Sequence, residues 1–131
     1  MRFTDHVLAT AITVLVSTVI SALLISLMLG GAMIIVFVLI VCFMVTLIPG
    51  VPLSLLIHAA IKREDSWGSL LRIAAHAAAG YLIVVVLAAG KASQSDAFAM
   101  FAYSGIFNGL IYGICYEGFR RKWSKHSAAE K

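Results

Sequence analysis

Four ionisable side chains stand within apolar sequence: His58, Arg72, His76 and Glu117. Ionisable groups are costly inside a lipid-soluble stretch, so their presence points by default to function. Imidazoles placed between a guanidinium and a carboxylate can relay protons, and the same set can hold a phosphate-bearing headgroup. A metal site is not assigned, because two His and one Glu without a His pair at i,i+4 make a poor ligand set. A plainer arrangement is also open, in which each His is hydrogen-bonded between helices and Glu117 pairs with Arg121 at i,i+4. The chain contains no P-loop, Gly-x-Ser-x-Gly or His-Glu-x-x-His, so no catalytic residue and no cofactor is assigned.

Two polar series run beside this set. His6, Thr10, Thr13, Ser17 and Ser21 recur at three- or four-residue spacing and mark one stripe on the first apolar stretch. Such hydroxyls usually return to the carbonyl three or four residues back, and the stripe then faces the bundle interior. Its functional alternative is the wall of a narrow polar path. Cys42, Thr46, Gly50, Ser54 and His58 form a second series, which drifts around a straight helix and is one face only if the helix is reoriented midway. Asn108, Tyr112 and Tyr116 give a polar edge to the last stretch. Gly105, Gly109 and Gly113 form a small-xxx-small ladder there, matched by Ala74, Ala75, Ala77, Ala78, Ala79 and Gly80. Close backbone approach through such residues drives helix packing in lipid, either within one chain or in a homo-oligomer.

The elements that must position these residues follow from composition. The chain has 131 residues, 62% of them hydrophobic and 12% charged, with mean hydropathy +1.02. That composition excludes an ordinary soluble domain. Crossing a hydrocarbon core of about 30 Å takes about 20 helical residues. Four stretches qualify: residues 6–29, 32–61, 69–89 and 97–119, followed by a basic tail at 120–131. They predict a single all-α domain, a polytopic membrane protein whose four transmembrane helices form an antiparallel bundle. Thr4 or Asp5, and later Ser95 or Asp96, are candidate helix caps. The first apolar run is too long for a cleavable signal.

Span two is about 45 Å long as a helix and holds Pro49 and Pro52, so a kink or a partly unwound segment is expected there. A competing layout ends this helix near Pro49 and lays residues 53–61 along the interface. Cys42 and Cys115 are not expected to pair, lying at different depths. Ten residues are Lys or Arg, and all but Lys91 fall on one side if both termini and the second connection share a compartment. Basic residues in short loops resist translocation, which sets an N-in, C-in orientation. The net charge of +4 is therefore read as juxtamembrane, with contact to anionic lipid and none to nucleic acid. Trp67 and Trp123 are placed at the headgroup level on that side.

The stretch Ile48-Pro49-Gly50-Val51-Pro52-Leu53-Ser54-Leu55-Leu56-Ile57, the basic turn after it and the Tyr-Gly-x-x-Tyr-Glu-Gly pattern at residues 112–118 resemble small four-span membrane proteins of Bacillus-type bacteria. The resemblance implies a bacterial plasma membrane and carries no activity onto these residues. The expected function is contact: an accessory or immunity-type protein packing against membrane lipid, a membrane-protein partner or a second copy of itself. Alternatives are a small oligomeric transporter or channel, with a polar path and an inner-leaflet His/Glu site, and an intramembrane enzyme acting on headgroups. The contact reading expects His58 and Glu117 to tolerate neutral replacement.

Overall fold

A computed structural model describes residues 3–88 and 96–129. Among these residues all the regular structure is helical, in four rods. The first, α1, runs Phe3–Met28. It stops at Gly30, whose φ of +74° is strained for any residue with a side chain. Gly30 N–H donates to Leu27 O and Gly31 N–H to Ser26 O, the paired bonds of a Schellman cap. A tight reversal results, and a single 3₁₀ turn at Ala32–Ile34 opens the next rod.

That rod has two halves, α2 (Ile35–Val45) and α3 (Val51–Ala60), joined by a π turn at Thr46–Gly50. The proline ring at 49 crowds the carbonyl four residues back and offers no amide. The backbone widens by one residue and remains helical, with Val51 N–H donating to Thr46 O. Residues 35–60 thus form one stretch long enough to span a bilayer, and α3 continues the rod instead of breaking away at Pro49. After Ile61 leaves helical geometry, Asp65 caps α4 (Ser66–Ala88), accepting Gly68 N–H at 2.9 Å. The fourth rod, α5, covers Asp96–Ala129. It carries helix through the basic segment, so the expected boundary at 119 separates apolar from basic residues but does not end the helix. Phe119 and Trp123 stack along it, with centroids 6.2 Å apart.

Three of the rods, at residues 7–28, 35–60 and 66–87, are long and apolar enough to span a membrane. Burial is inverted relative to a soluble protein. Eleven polar or charged residues are buried among those described, against nine hydrophobic ones, and Arg72 is the largest fully buried side chain. Leu27, Phe37, Ile48, Leu56, Val86 and Phe101 all point outward. Polar groups inside and aliphatic groups outside suit a bilayer, where lipid covers the apolar exterior and backbone bonds close within helices.

Helices α4 and α5 pack most closely. A Cβ on Gly80 would strike Gly105 O, and one on Gly109 would strike His76 O. At Gly105 it would come within 2.6 Å of Gly80 O, and at Gly113 within 3.2 Å of the Ile73 Cα. The ladder therefore faces α4 of the same chain, backbone against backbone. Helix α1 lies against both α5 and α2. Its stripe is turned inward: Thr13, Ser17 and Ser21 are buried and Thr10 is half-buried. Thr13 and Ser17 hydroxyls bond the Ala9 and Val14 carbonyls at 2.7 and 3.3 Å. The candidate caps Thr4, Asp5 and Asp96 lie where side chains are not described, and Ser95 and Lys91 lie outside the described residues.

Candidate functional site

Arg72, about two turns into α4, is held by acceptors on three sides. Its Nε donates to Glu117 Oε1 of α5, and its Nη2 reaches Glu117 Oε2 and Ser69 Oγ, both at 3.4 Å. Nη1 donates to the Ile61 and Arg63 carbonyls at 3.1 and 2.7 Å. A guanidinium has five N–H donors, and each has an acceptor here. The two carbonyls belong to the end of the α2–α3 rod and the connection after it, where peptide oxygens lose their helical partners. One side chain therefore closes a helix end and joins three rods.

Ser69 is equally committed. Its hydroxyl donates to Glu117 Oε2 at 2.9 Å and accepts from Arg72 and from Arg121 Nη2, the latter at 2.8 Å. The expected Glu117–Arg121 pair is thus replaced. Arg121 bonds Ser69, and Glu117 pairs with Arg72, with Arg120 at a longer 3.7 Å from its Oε2. The physical reason is burial: a carboxylate inside the bundle takes the buried, bidentate guanidinium over an interfacial one. Ser69 was the group missed in the sequence, although its place one turn before Arg72 was the available signal.

The two histidines meet this cluster differently. His58 Nδ1–H donates to Ser54 O at 2.9 Å, which leaves Nε2 facing Glu117 Oε1 at 3.8 Å, too long for a hydrogen bond. His76 Nδ1–H donates to Arg72 O at 2.7 Å, and its Nε2 lies 3.1 Å from Ser54 Oγ. Carbonyls only accept, so both imidazoles carry the Nδ1 proton, and the Ser54 hydroxyl donates to His76. The rings pack edge-on with centroids 5.8 Å apart, and Tyr116 and Tyr112 cover them at 4.4 and 5.3 Å. His58, Arg72, His76 and Glu117 therefore stand at one level on three rods. Of the other three, His58 and Arg72 face the carboxylate, as Ser69 and Arg120 also do. His76 points away toward Ser54.

Further into the bundle, Asn108 Nδ2 donates to Thr46 Oγ1 at 3.1 Å, so α5 grips the rod at its π turn. Cys42, Thr46 and Ser54 of the second polar series are all buried. The extra residue of the π turn offsets the angular drift of four-residue spacing. A cavity of about 40 Å³ lies beside it, bounded by Thr46, His76, Asn108 and Tyr112 among others. Among the described residues Asn108 Oδ1 has no hydrogen-bond partner, and the Tyr112 hydroxyl stands beside Ser54. Cys42 and Cys115 are both free thiols. Among the described residues no group of three or more His, Cys, Asp or Glu is arranged to hold a metal ion.

The arrangement can fix rods rigidly, through the buried Arg72–Glu117 pair and the Ser69 hydroxyl that joins it. No protein-family model matches this chain, and neither does any curated protein or solved structure.

Proposed function

We propose that this chain is a four-pass integral membrane protein of a bacterial plasma membrane, with both termini and the Lys62–Trp67 connection in the cytoplasm, acting by contact as an accessory or immunity-type protein. One observation carries this reading. Arg72, Glu117 and Ser69 bond to one another inside the bundle, while the most apolar rod is the least covered. Only 11% of the apolar window at residues 35–60 is buried, against 44% for that at residues 7–28. Val36, Phe37, Ile40, Met44 and Ile48 form an outward aliphatic surface on α2 and its π turn. A rod so weakly embedded in its own bundle is suited to meet lipid or another helix by van der Waals packing. The fourth pass rests on α5, which is less apolar because Asn108, three tyrosines and its glycines face the interior or the interface.

Two measurements test this. A cysteine at Ser124 should resist membrane-impermeant thiol reagents applied to intact cells; labelling there ends the placement of the termini in the cytoplasm. Photo-crosslinking groups at Phe37, Ile40 and Met44 should capture a discrete protein in the native membrane, while one at Thr13 should not. Equal capture from both positions removes the contact reading.

A second reading, a small transporter or channel, is favoured by the cavity at the π turn, with the Asn108 oxygen unpartnered among the described residues. It expects pH-dependent flux in reconstituted liposomes that His76→Ala abolishes. Liposomes no leakier than empty vesicles to protons, small cations and anions eliminate it.

A further inference from the structure

A cleft of about 510 Å³ opens between α1 and the α2–α3 rod, walled by Val7, Ala11 and Leu15 on one side and Phe43, Leu47 and Leu55 on the other. It is apolar along its length except for Thr10. The wall from Val7 to Leu15 is about 12 Å of helix, and that from Phe43 to Leu55 about 18 Å. Half of a hydrocarbon core is about 15 Å. The cleft thus runs the depth of a single leaflet. A helix about 10 Å wide and 12 Å long displaces roughly 900 Å³, more than the cleft holds, whereas a flexible acyl chain fits.

No charged side chain lines the cleft, but a cation stands a short way beyond Thr10. Thr10 lies against Tyr116, and Arg120 follows Tyr116 by one helical turn. Of the arginines near this end, Arg72 is saturated and Arg121 is bonded to Ser69. Arg120 is underused: its ion pairs to Glu64 and Glu117 are 3.8 and 3.7 Å long, and its buried Nε has no hydrogen-bond partner. A planar guanidinium in that position suits a phosphate diester.

We propose that the α1/α2–α3 cleft binds one acyl chain of an anionic phospholipid from the leaflet facing the basic ends, with the lipid phosphate on Arg120. This rests on the membrane-contact reading above and names the lipid class and its seat. It also explains why the rod at residues 35–60 can remain so loosely covered by protein: the lipid chain fills the gap between it and α1.

The full-length protein, reconstituted in vesicles of equimolar phosphatidylglycerol and phosphatidylcholine and re-extracted in mild detergent, can be weighed by native mass spectrometry. Phosphatidylglycerol should be retained about fivefold over phosphatidylcholine, the effect of one basic side chain near a lipid surface. Arg120→Gln should bring the ratio near one, and Arg120→Lys should keep most of it. Ala11→Trp and Leu47→Trp, both at exposed positions, should fill the cleft and lower retention of both lipids. A ratio of one in the unaltered protein overturns the proposal. So does a preference that survives both Arg120→Gln and the tryptophans, or a lipid-free dimer whose second copy covers the cleft. Thiol labelling of Ser124→Cys in intact cells separates the two ideas. Wrong sidedness sinks the placement of the termini in the cytoplasm, whereas correct sidedness with no lipid preference sinks the lipid site alone.

Discussion

The α4–α5 interface and the α1/α2–α3 interface solve the same problem in opposite ways. Both must hold helices together where lipid tails compete equally well for any aliphatic side chain. The first brings backbones into contact through Gly80, Gly105, Gly109 and Gly113, and bolts one end with the Arg72–Glu117 pair. The second leaves a cleft, and most of the α2–α3 rod's aliphatic residues face outward. That rod is tied to the rest by a few polar points: Thr46 to Asn108, Ser54 to His76, and its terminal carbonyls to Arg72. Close packing plus charge marks the frame. Sparse polar attachment marks the part free to meet something else.

Charge removal at the frame should give the largest effect. Glu117→Gln strands the buried Arg72 guanidinium and should cost about 3–5 kcal/mol. This variant puts the expectation that Glu117 tolerates neutral replacement to the test, now that its partner is buried Arg72 and not interfacial Arg121. The paired replacement Arg72→Met with Glu117→Met should recover much of the loss. Reversible unfolding in mixed micelles, read as a double-mutant cycle, measures the coupling; independent, additive losses would refute the bolt.

Next in size is Gly109→Leu, which would press a side chain into the His76 carbonyl and part the helices, at about 1–3 kcal/mol. Phe37→Leu, on the outward side of α2, should change unfolding by under ~0.5 kcal/mol. Comparable losses at both positions would erase the contrast between frame and rod.

The frame was readable from the sequence where its signal was periodic. The glycine ladder and the small face of α4 announce each other at helical spacing, and the polar stripe of α1 carries its own inward direction. Arg72, His76, His58 and Glu117 were identifiable as one level because depth in a bilayer is countable in residues. What spacing does not encode is azimuth. That Glu117 turns to Arg72 and His76 turns to Ser54 depends on how the helices are rotated, which the close α4–α5 approach decides. The π turn was half legible: two prolines announce a disturbance, but widening by one residue is chosen because Asn108 and buried Thr46 meet there. The cleft left no trace in the sequence, since an aliphatic residue beside a gap looks like any other.

The polar ties of the rod should rank below the frame. Ser54→Ala removes the hydroxyl donor to His76, and Asn108→Leu removes the tie at Thr46. Interhelical hydrogen bonds in bilayers average about 0.6 kcal/mol and reach about 1.7 kcal/mol, so each change should fall in that range. Their readout is selective: hydrogen exchange should rise in residues 51–60 and stay unchanged around Gly109. A uniform rise across all four rods would mean that the rod and the frame unfold as one unit, and the contrast between them would be lost.

The smallest effect belongs to an exposed cap, Asp65 at the start of α4. Asp65 accepts Gly68 N–H and pairs with Arg63 at 2.9 Å, and it is 45% exposed. The Gly68 amide foremost, with Arg63 beside it, holds the Asp65 carboxyl below its ordinary range. A carboxyl lowered in the folded state supports the helix above its unfolded value of about 4, and the support fades as pH falls through the folded value. Acidifying from pH 7 to pH 3 should therefore loosen only the first turn of α4, with faster amide exchange at Trp67 and Gly68. Asp65→Asn should keep the cap and lose this acid dependence, because its amide oxygen still accepts but does not titrate. Were exchange at Gly68 in the asparagine variant to remain as acid-sensitive as before, the titrating group would lie elsewhere, and the first turn of α4 would have to be read as part of the buried frame.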